Sequence, residues 1–135
     1  MLFRSRSASG TVRIGVVAQE SNSQSIVERT KGFVEEMTKL VGEDKVSVEG
    51  HDSLKKEKAG APVVIDVGIP AEVKDANGAA VASAILEKSD LIAIYGSNEF
   101  AANAIITANE GSPIKERVFQ DRFIGFYIIF SQLFF

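Results

Sequence analysis

The amino-acid sequence predicts a three-layer α/β/α sandwich built on a mostly parallel sheet. Three observations carry this expectation. Short apolar runs recur at residues 12–18, 61–67 and 91–95, with the length and composition of strands buried on both faces. Between them lie segments whose apolar residues are spaced by three and four, the pattern of helices that bury one face. Strand and helix alternate, which implies right-handed crossovers and gathers the loops after Ala18, Val67 and Tyr95 at one edge of the sheet.

Each element has its own local reason. The first strand gives way to the polar loop Gln19, Glu20, Ser21, Asn22 and Ser23. Ser25 and Glu28 stand at capping-box spacing, so the first helix is expected to start at Ser25. Its apolar stripe is Ile26, Phe33, Met37 and Leu40 or Val41, and Gly42 ends it. Residues 45–50 alternate as a short strand and residues 51–60 form a charged connection, in which 54–58 could be a short solvated helix or a mobile loop. Pro62 opens the next strand, and Gly68 and Pro70 close it. A helix from Asp75 or Asn77 to Lys88, with Val81, Ala84, Ile85 and Leu86 as its apolar positions, leads into 91–95. There Gly96 is expected to turn the backbone sharply, and Ser97 or Asn98 to cap a small-residue helix.

At 135 residues the chain has room for one core. The expected organisation is a single α/β lobe over 11–130, a flexible amino-terminal segment over 1–10 and an apolar tail over 131–135. With 45% hydrophobic and 24% charged residues and a net charge of -3, the chain offers no basic field for nucleic acid. Cysteine is absent, which removes disulfides, thiolate nucleophiles and Cys-ligated metals. The first ten residues carry two arginines but lack the apolar stretch of a secretory signal. Residues 123–135 fall short of the ~20 apolar residues that span a bilayer, so no membrane span is expected. Six of the nine Phe residues lie from Phe119 onward. That density suggests a strand followed by a sticky, truncated or altered end.

Catalytic material is sparse, and no enzyme and no cofactor are expected. His51, the sole histidine, is expected at the surface. No Gly-x-Gly-x-x-Gly, phosphate-binding Gly-x-x-x-x-Gly-Lys-Ser/Thr or Gly-x-Ser-x-Gly motif is present. Asp66 ends an apolar run as a phosphoacceptor would, but the first strand's end supplies only Gln19 and Glu20 as companions. Binding residues are better represented. Arg29, in the first turn of its helix by this reading, offers fixed donors for a hydroxyl or carboxylate. Asn98 offers two donors and an acceptor. The plain alternatives are a surface ion pair for Arg29 and a helix cap for Asn98.

Several segments, in order, resemble the carboxyl-terminal lobe of type 1 periplasmic sugar-binding proteins, the ribose-binding group, a lobe shared with the lac-repressor family. They are Arg13-Ile-Gly-Val-Val, Asn22-Ser-Gln-Ser, Glu28-Arg29-Thr-Lys-Gly32-Phe33, Ala82-Ser-Ala-Ile-Leu-Glu-Lys and Asp90-Leu-Ile-Ala-Ile-Tyr-Gly-Ser-Asn98-Glu-Phe-Ala-Ala. The resemblance runs with gaps from Val12 to Gly125. It implies a flavodoxin-like lobe in which Arg29 and Asn98, with Gln19 beside them, hydrogen-bond a sugar held against a second lobe. It further implies a substrate-binding component of an ABC transporter, partnered by a permease and an amino-terminal lobe and working in the periplasm. The chain departs from the pattern in two places. Tyr127 follows Gly125 and Phe126 where the family has an aspartate, and the segment 59–66 resembles an amino-lobe segment. Two other assignments are the effector-binding part of a lac-repressor-type regulator, which would need a helix-turn-helix, and a stand-alone flavodoxin-like or receiver-type protein.

The aromatic tail generates a solution prediction. Sedimentation velocity at high concentration should show self-association of the full chain, relieved by deleting residues 131–135. A monodisperse monomer from the full chain would contradict it.

Overall fold

In the computed structural model, residues 10–110, 118–123 and 126–131 are described. The elements are β1 (Val12–Val17), α1 (Gln24–Val41), β2 (Val46–Glu49), β3 (Val63–Gly68), α2 (Asp75–Leu86), β4 (Leu91–Gly96), α3 (Glu99–Glu110), β5 (Val118–Phe123) and β6 (Phe126–Ser131). A single 3-10 turn, Glu43–Lys45, leads into β2. One sheet holds all the strands in the order β2-β3-β1-β4-β6-β5. β2, β3, β1 and β4 are mutually parallel, and β6 pairs antiparallel with both β4 and β5. The expected α/β sandwich is therefore the observed one. Apart from Gly10 and Ser131, the segments 1–10 and 131–135 lie outside the described residues.

The period of two along each strand sorts the core into two layers. Ile14 and Val16 of β1, Val46 and Val48 of β2, Ile65 and Val67 of β3, and Tyr95 of β4 pack with Val34 of α1 on one face. Val17 of β1 and Leu91 and Ile94 of β4 pack on the other face with α2 and α3. β4 keeps both Leu91 and Ile94 on one face because its register with β1 slips by one residue beside Arg13 and Ile14. α2 sits close to the sheet because two strand glycines lie beneath it. A Cβ at Gly15 would stand 2.5 Å from Ile85 Cγ2, and one at Gly68 would strike Val81 and Ile85.

Several local expectations are corrected. α1 begins at Gln24, with Ser23 at the cap position, and the Ser25–Glu28 capping box does not form. Glu28 instead accepts from Gln24 Nε2 at 2.9 Å, one turn earlier. The expected stripe does face the core, with Ile26 buried and Phe33, Met37 and Val41 packed against it; of the two alternatives at its end Val41 is the inward one and Leu40 is 70% exposed, and the same face also buries Thr30 and Val34. In α2, Ala84 faces solvent and Ala82 is buried. The segment 54–58 is neither helix nor loose loop: after a turn, Lys56 bridges antiparallel to Val48 of β2. That bridge protects part of a sheet edge.

His51 is 3% exposed, against the expectation of a surface residue. Gly50, at φ +91°, is the cause. A Cβ at Gly50 would collide with the Val67 carbonyl, so the chain turns inward against β3 with no side chain in the way. The His51 ring then lies in the interior, bonded through Nδ1 to the Ser53 hydroxyl at 3.1 Å, while Nε2 is buried without a partner.

A charged knot crosses the sheet on the α2 side. Arg13 of β1 donates from Nη1 to Glu49 of β2 at 2.9 Å and to Asp66 of β3 at 2.8 Å. Its Nε donates to Asp90, ahead of β4, at 2.9 Å, and Thr11 donates to the same carboxylate at 2.9 Å. Burial opposes the Arg13 charge. Its bonds to Asp90 and Glu49 and the fields of Asp90 and Asp66 outweigh that cost and raise the guanidinium above its ordinary value. At Asp90 burial likewise opposes ionisation, yet the bonds from Arg13 and Thr11 prevail and hold the carboxyl below its ordinary value.

The folded chain thus releases the Asp90 proton more readily than the unfolded chain. The stability this contributes is complete above the ordinary value of 3.8 and is lost as pH falls below it. Urea unfolding over that acid range should show a weaker pH dependence in Asp90→Asn, and an unchanged dependence would refute the assignment. Arg13→Met strands three carboxylates and should cost about 3 kcal/mol, the low end for breaking a buried pair because Glu49 is 40% exposed.

Candidate functional site at the strand-end edge

Parallel register sets where the edge lies. Val17 of β1 is level with Gly68 of β3 and Gly96 of β4, so all three strands stop together. Main-chain bonds continue just past the strands: Ala18 N–H donates to the Gly68 carbonyl at 3.0 Å and Ser97 N–H to the Val17 carbonyl at 3.0 Å. The loops after β1, β3 and β4 therefore leave from one line, as expected of a ligand-binding edge in an open α/β sheet.

Gly96, expected to turn the backbone sharply, has no positive φ. It supplies space. A Cβ there would stand 2.7 Å from the Ala102 amide, where the first turn of α3 lies over the strand end.

Asn98 is the cap of α3. Its Oδ1 accepts the Ala101 amide at 3.0 Å and its carbonyl accepts the Ala102 amide at 2.9 Å. With the carbonyl oxygen of the amide fixed in this way, Nδ2 points out along the edge and donates to Gln19 Oε1 at 2.8 Å. Gln19 Nε2 in turn donates to Glu20 at 3.2 Å. Two of the three expected site residues, 79 positions apart in sequence, are thus brought into direct contact.

Arg29 stands apart from that pair. Because α1 starts at Gln24, Arg29 falls in the second turn rather than the first. It is exposed and makes no salt bridge among the described residues, so the ordinary ion pair expected for it does not form. Phe33, one turn further along α1, stacks on Tyr95 of β4 with ring centroids 4.1 Å apart and planes 2° from parallel. Burial raises the Tyr95 phenol above its ordinary value, and the positive field of Arg29 partly offsets this.

Sequence reasoning missed one contact at this edge, the buried hydroxyl pair of Thr30 and Ser97. Both residues are fully buried and their oxygens are 2.8 Å apart. Thr30 gives its proton to the Ile26 carbonyl at 2.8 Å, which leaves Ser97 to donate to Thr30. The available signal was the i to i+4 position of Thr30 after Ile26, on the face that the helix buries.

Asp66 accepts from Arg13, so the carboxylate that could have resembled a phosphoacceptor is tied into the sheet. Among the described residues no group of His, Asp and Glu could hold a metal ion, and no helix is long and apolar enough to cross a membrane. The chain matches no family model, no curated protein and no solved structure.

Thr30→Val should leave the Ser97 hydroxyl without an acceptor and destabilise the fold by about 1–3 kcal/mol. Asn98→Ala should cost about 1 kcal/mol through lost capping, whereas Asn98→Asp, which keeps the capping oxygen, should cost much less. Chemical denaturation of the three variants checks both, and equal costs for the two Asn98 variants would contradict the capping role.

Proposed function

We propose that this chain is a sugar-binding lobe of the kind that serves as the substrate-binding component of an ABC transporter. Arg29, Asn98 and Gln19 form its share of the ligand site. The observation that carries this reading is the Asn98 Nδ2 to Gln19 Oε1 bond, which places two amide side chains from separate loops together at the strand-end edge. Such an edge is where open α/β sheets bind ligands, and a polyhydroxylated ligand needs mixed donors and acceptors of this kind. Exposed Arg29 adds donors that no described carboxylate occupies. The likeness of the Arg29 and Asn98 segments to the ribose-binding group supports a sugar as the ligand. By the same likeness the partners are a second lobe and a permease, and the setting is periplasmic.

Half a site holds a sugar weakly. Each hydrogen bond nets about 0.5–1.5 kcal/mol, and the ligand stays partly in water against a single lobe. Immobilising it costs a comparable amount, so affinity should be no tighter than roughly millimolar. Calorimetry with a panel of pentoses and hexoses tests the reading. Weak binding that disappears in Arg29→Ala and falls in Asn98→Asp is the expected result. Binding that neither change affects would discard the site, and micromolar binding would show that one lobe suffices.

A further inference from the structure

The crossover from β2 to β3 contains no helix. Past Gly50 the amides of Leu54 and Lys55 both bond to the His51 carbonyl, at 3.0 and 2.8 Å, and the chain returns so that Lys56 and Val48 exchange main-chain bonds of 2.9 and 3.0 Å. A single extended segment thus stands where such crossovers usually place a helix about 10 Å across, and it fills less space. Between it and α1 lies a cavity of about 530 Å³. That volume is within the range of small-molecule sites. None of Gln19, Arg29 and Asn98 lines it.

The chemistry of the walls is asymmetric. Val34, Val48 and Leu54 supply apolar surface continuous with the core. Lys31, Lys39 and Lys56 stand around it with Glu35 and Glu43. Both carboxylates already have a cation: Glu35 lies 3.7 Å from Lys31, and Glu43 lies 3.7 Å from Lys56. Lys39 has no such partner among the described residues. The nearby hydroxyls are also committed, Thr38 donating to the Val34 carbonyl at 2.7 Å and Ser53 bonded to His51 Nδ1 at 3.1 Å. The groove therefore combines an apolar floor with one unmatched positive charge.

We infer that this groove binds a small amphipathic anion, an acyl carboxylate whose chain lies on Val34, Val48 and Leu54 and whose head group meets Lys39. The apolar floor recognises the chain and the uncompensated ammonium selects the sign of the head. A neutral or cationic head of the same length meets no such partner.

Calorimetry of the full chain with decanoate, decan-1-ol and decylammonium tests this, with amide chemical shifts to locate the site. Decanoate should bind up to about fivefold more tightly than decan-1-ol, the upper end for an exposed ion pair, and should also outbind decylammonium. Lys39→Gln, at an exposed position, should reduce decanoate to the affinity of the alcohol. Leu54→Asp should abolish binding while circular dichroism stays unchanged, and Leu54→Ser should weaken it if the aspartate variant does not fold. The perturbed amides should fall on α1 and on residues 48–56. Equal affinities for the three probes, absence of saturable decanoate binding, insensitivity to Lys39→Gln, or shifts confined to Gln19 and Asn98 would each overturn the inference.

Discussion

The guanidinium of Arg13 is the tie on which the arrangement of the sheet depends. Strand β1 lies between β3 and β4, neither of which is its neighbour along the chain, and backbone hydrogen bonds alone do not specify which strand lies beside which. Arg13 reaches from β1 across Asp66 of β3 to Glu49 of β2, and its Nε also holds Asp90 at the approach to β4. One side chain therefore meets a group from each of the three strand systems around β1. Its registry role is a matter of specificity as much as energy, because a strand slipped by one residue would turn its carboxylate to the opposite face.

Arg13 also explains why β2 can lie at an edge with so little over it. An edge strand four residues long gives only Val46 and Val48 to the core. Glu49 fixes it laterally to Arg13, Lys56 pairs with Val48 on its outer side, and the Lys58 amide donates to Ser47 Oγ at 3.0 Å. Polar bonds thus supplement the packing of β2 under α1, whereas β1 and β4 also have Val17, Leu91 and Ile94 roofed by α2 and α3.

Much of the fold was legible in the sequence because its signals are periodic. The run 91–95 could be placed as a buried strand, and the loops after Ala18, Val67 and Tyr95 could be placed on one edge, since parallel alternation leaves few other topologies. What escaped depends on contacts far apart in the chain or on backbone geometry. The Ser25–Glu28 spacing pointed to a start one residue beyond the observed Gln24, enough to shift Arg29 from the first turn of α1 to the second. The burial of His51 follows from the approach of Gly50 to Val67, a contact between two strands. The pairing of Thr30 with Ser97, 67 positions away, was invisible for the same reason. For the candidate site, the residue types and the capping of α3 by Asn98 were readable, but the bond between Asn98 and Gln19 required the three-dimensional edge.

The strand-end edge has a consequence for how such a protein can change over time. Its three loops are launched by main-chain groups, Ala18 to Gly68 and Ser97 to Val17, and any residue other than proline can supply those amides. The platform is therefore indifferent to the identities at positions 19, 20 and 29, which project from it. Only Asn98 carries a second, structural duty. Under the proposed ligand-binding role, substitutions at the first three positions would alter recognition while the scaffold beneath them keeps its shape, and the fourth would remain the fixed point around which that drift occurs.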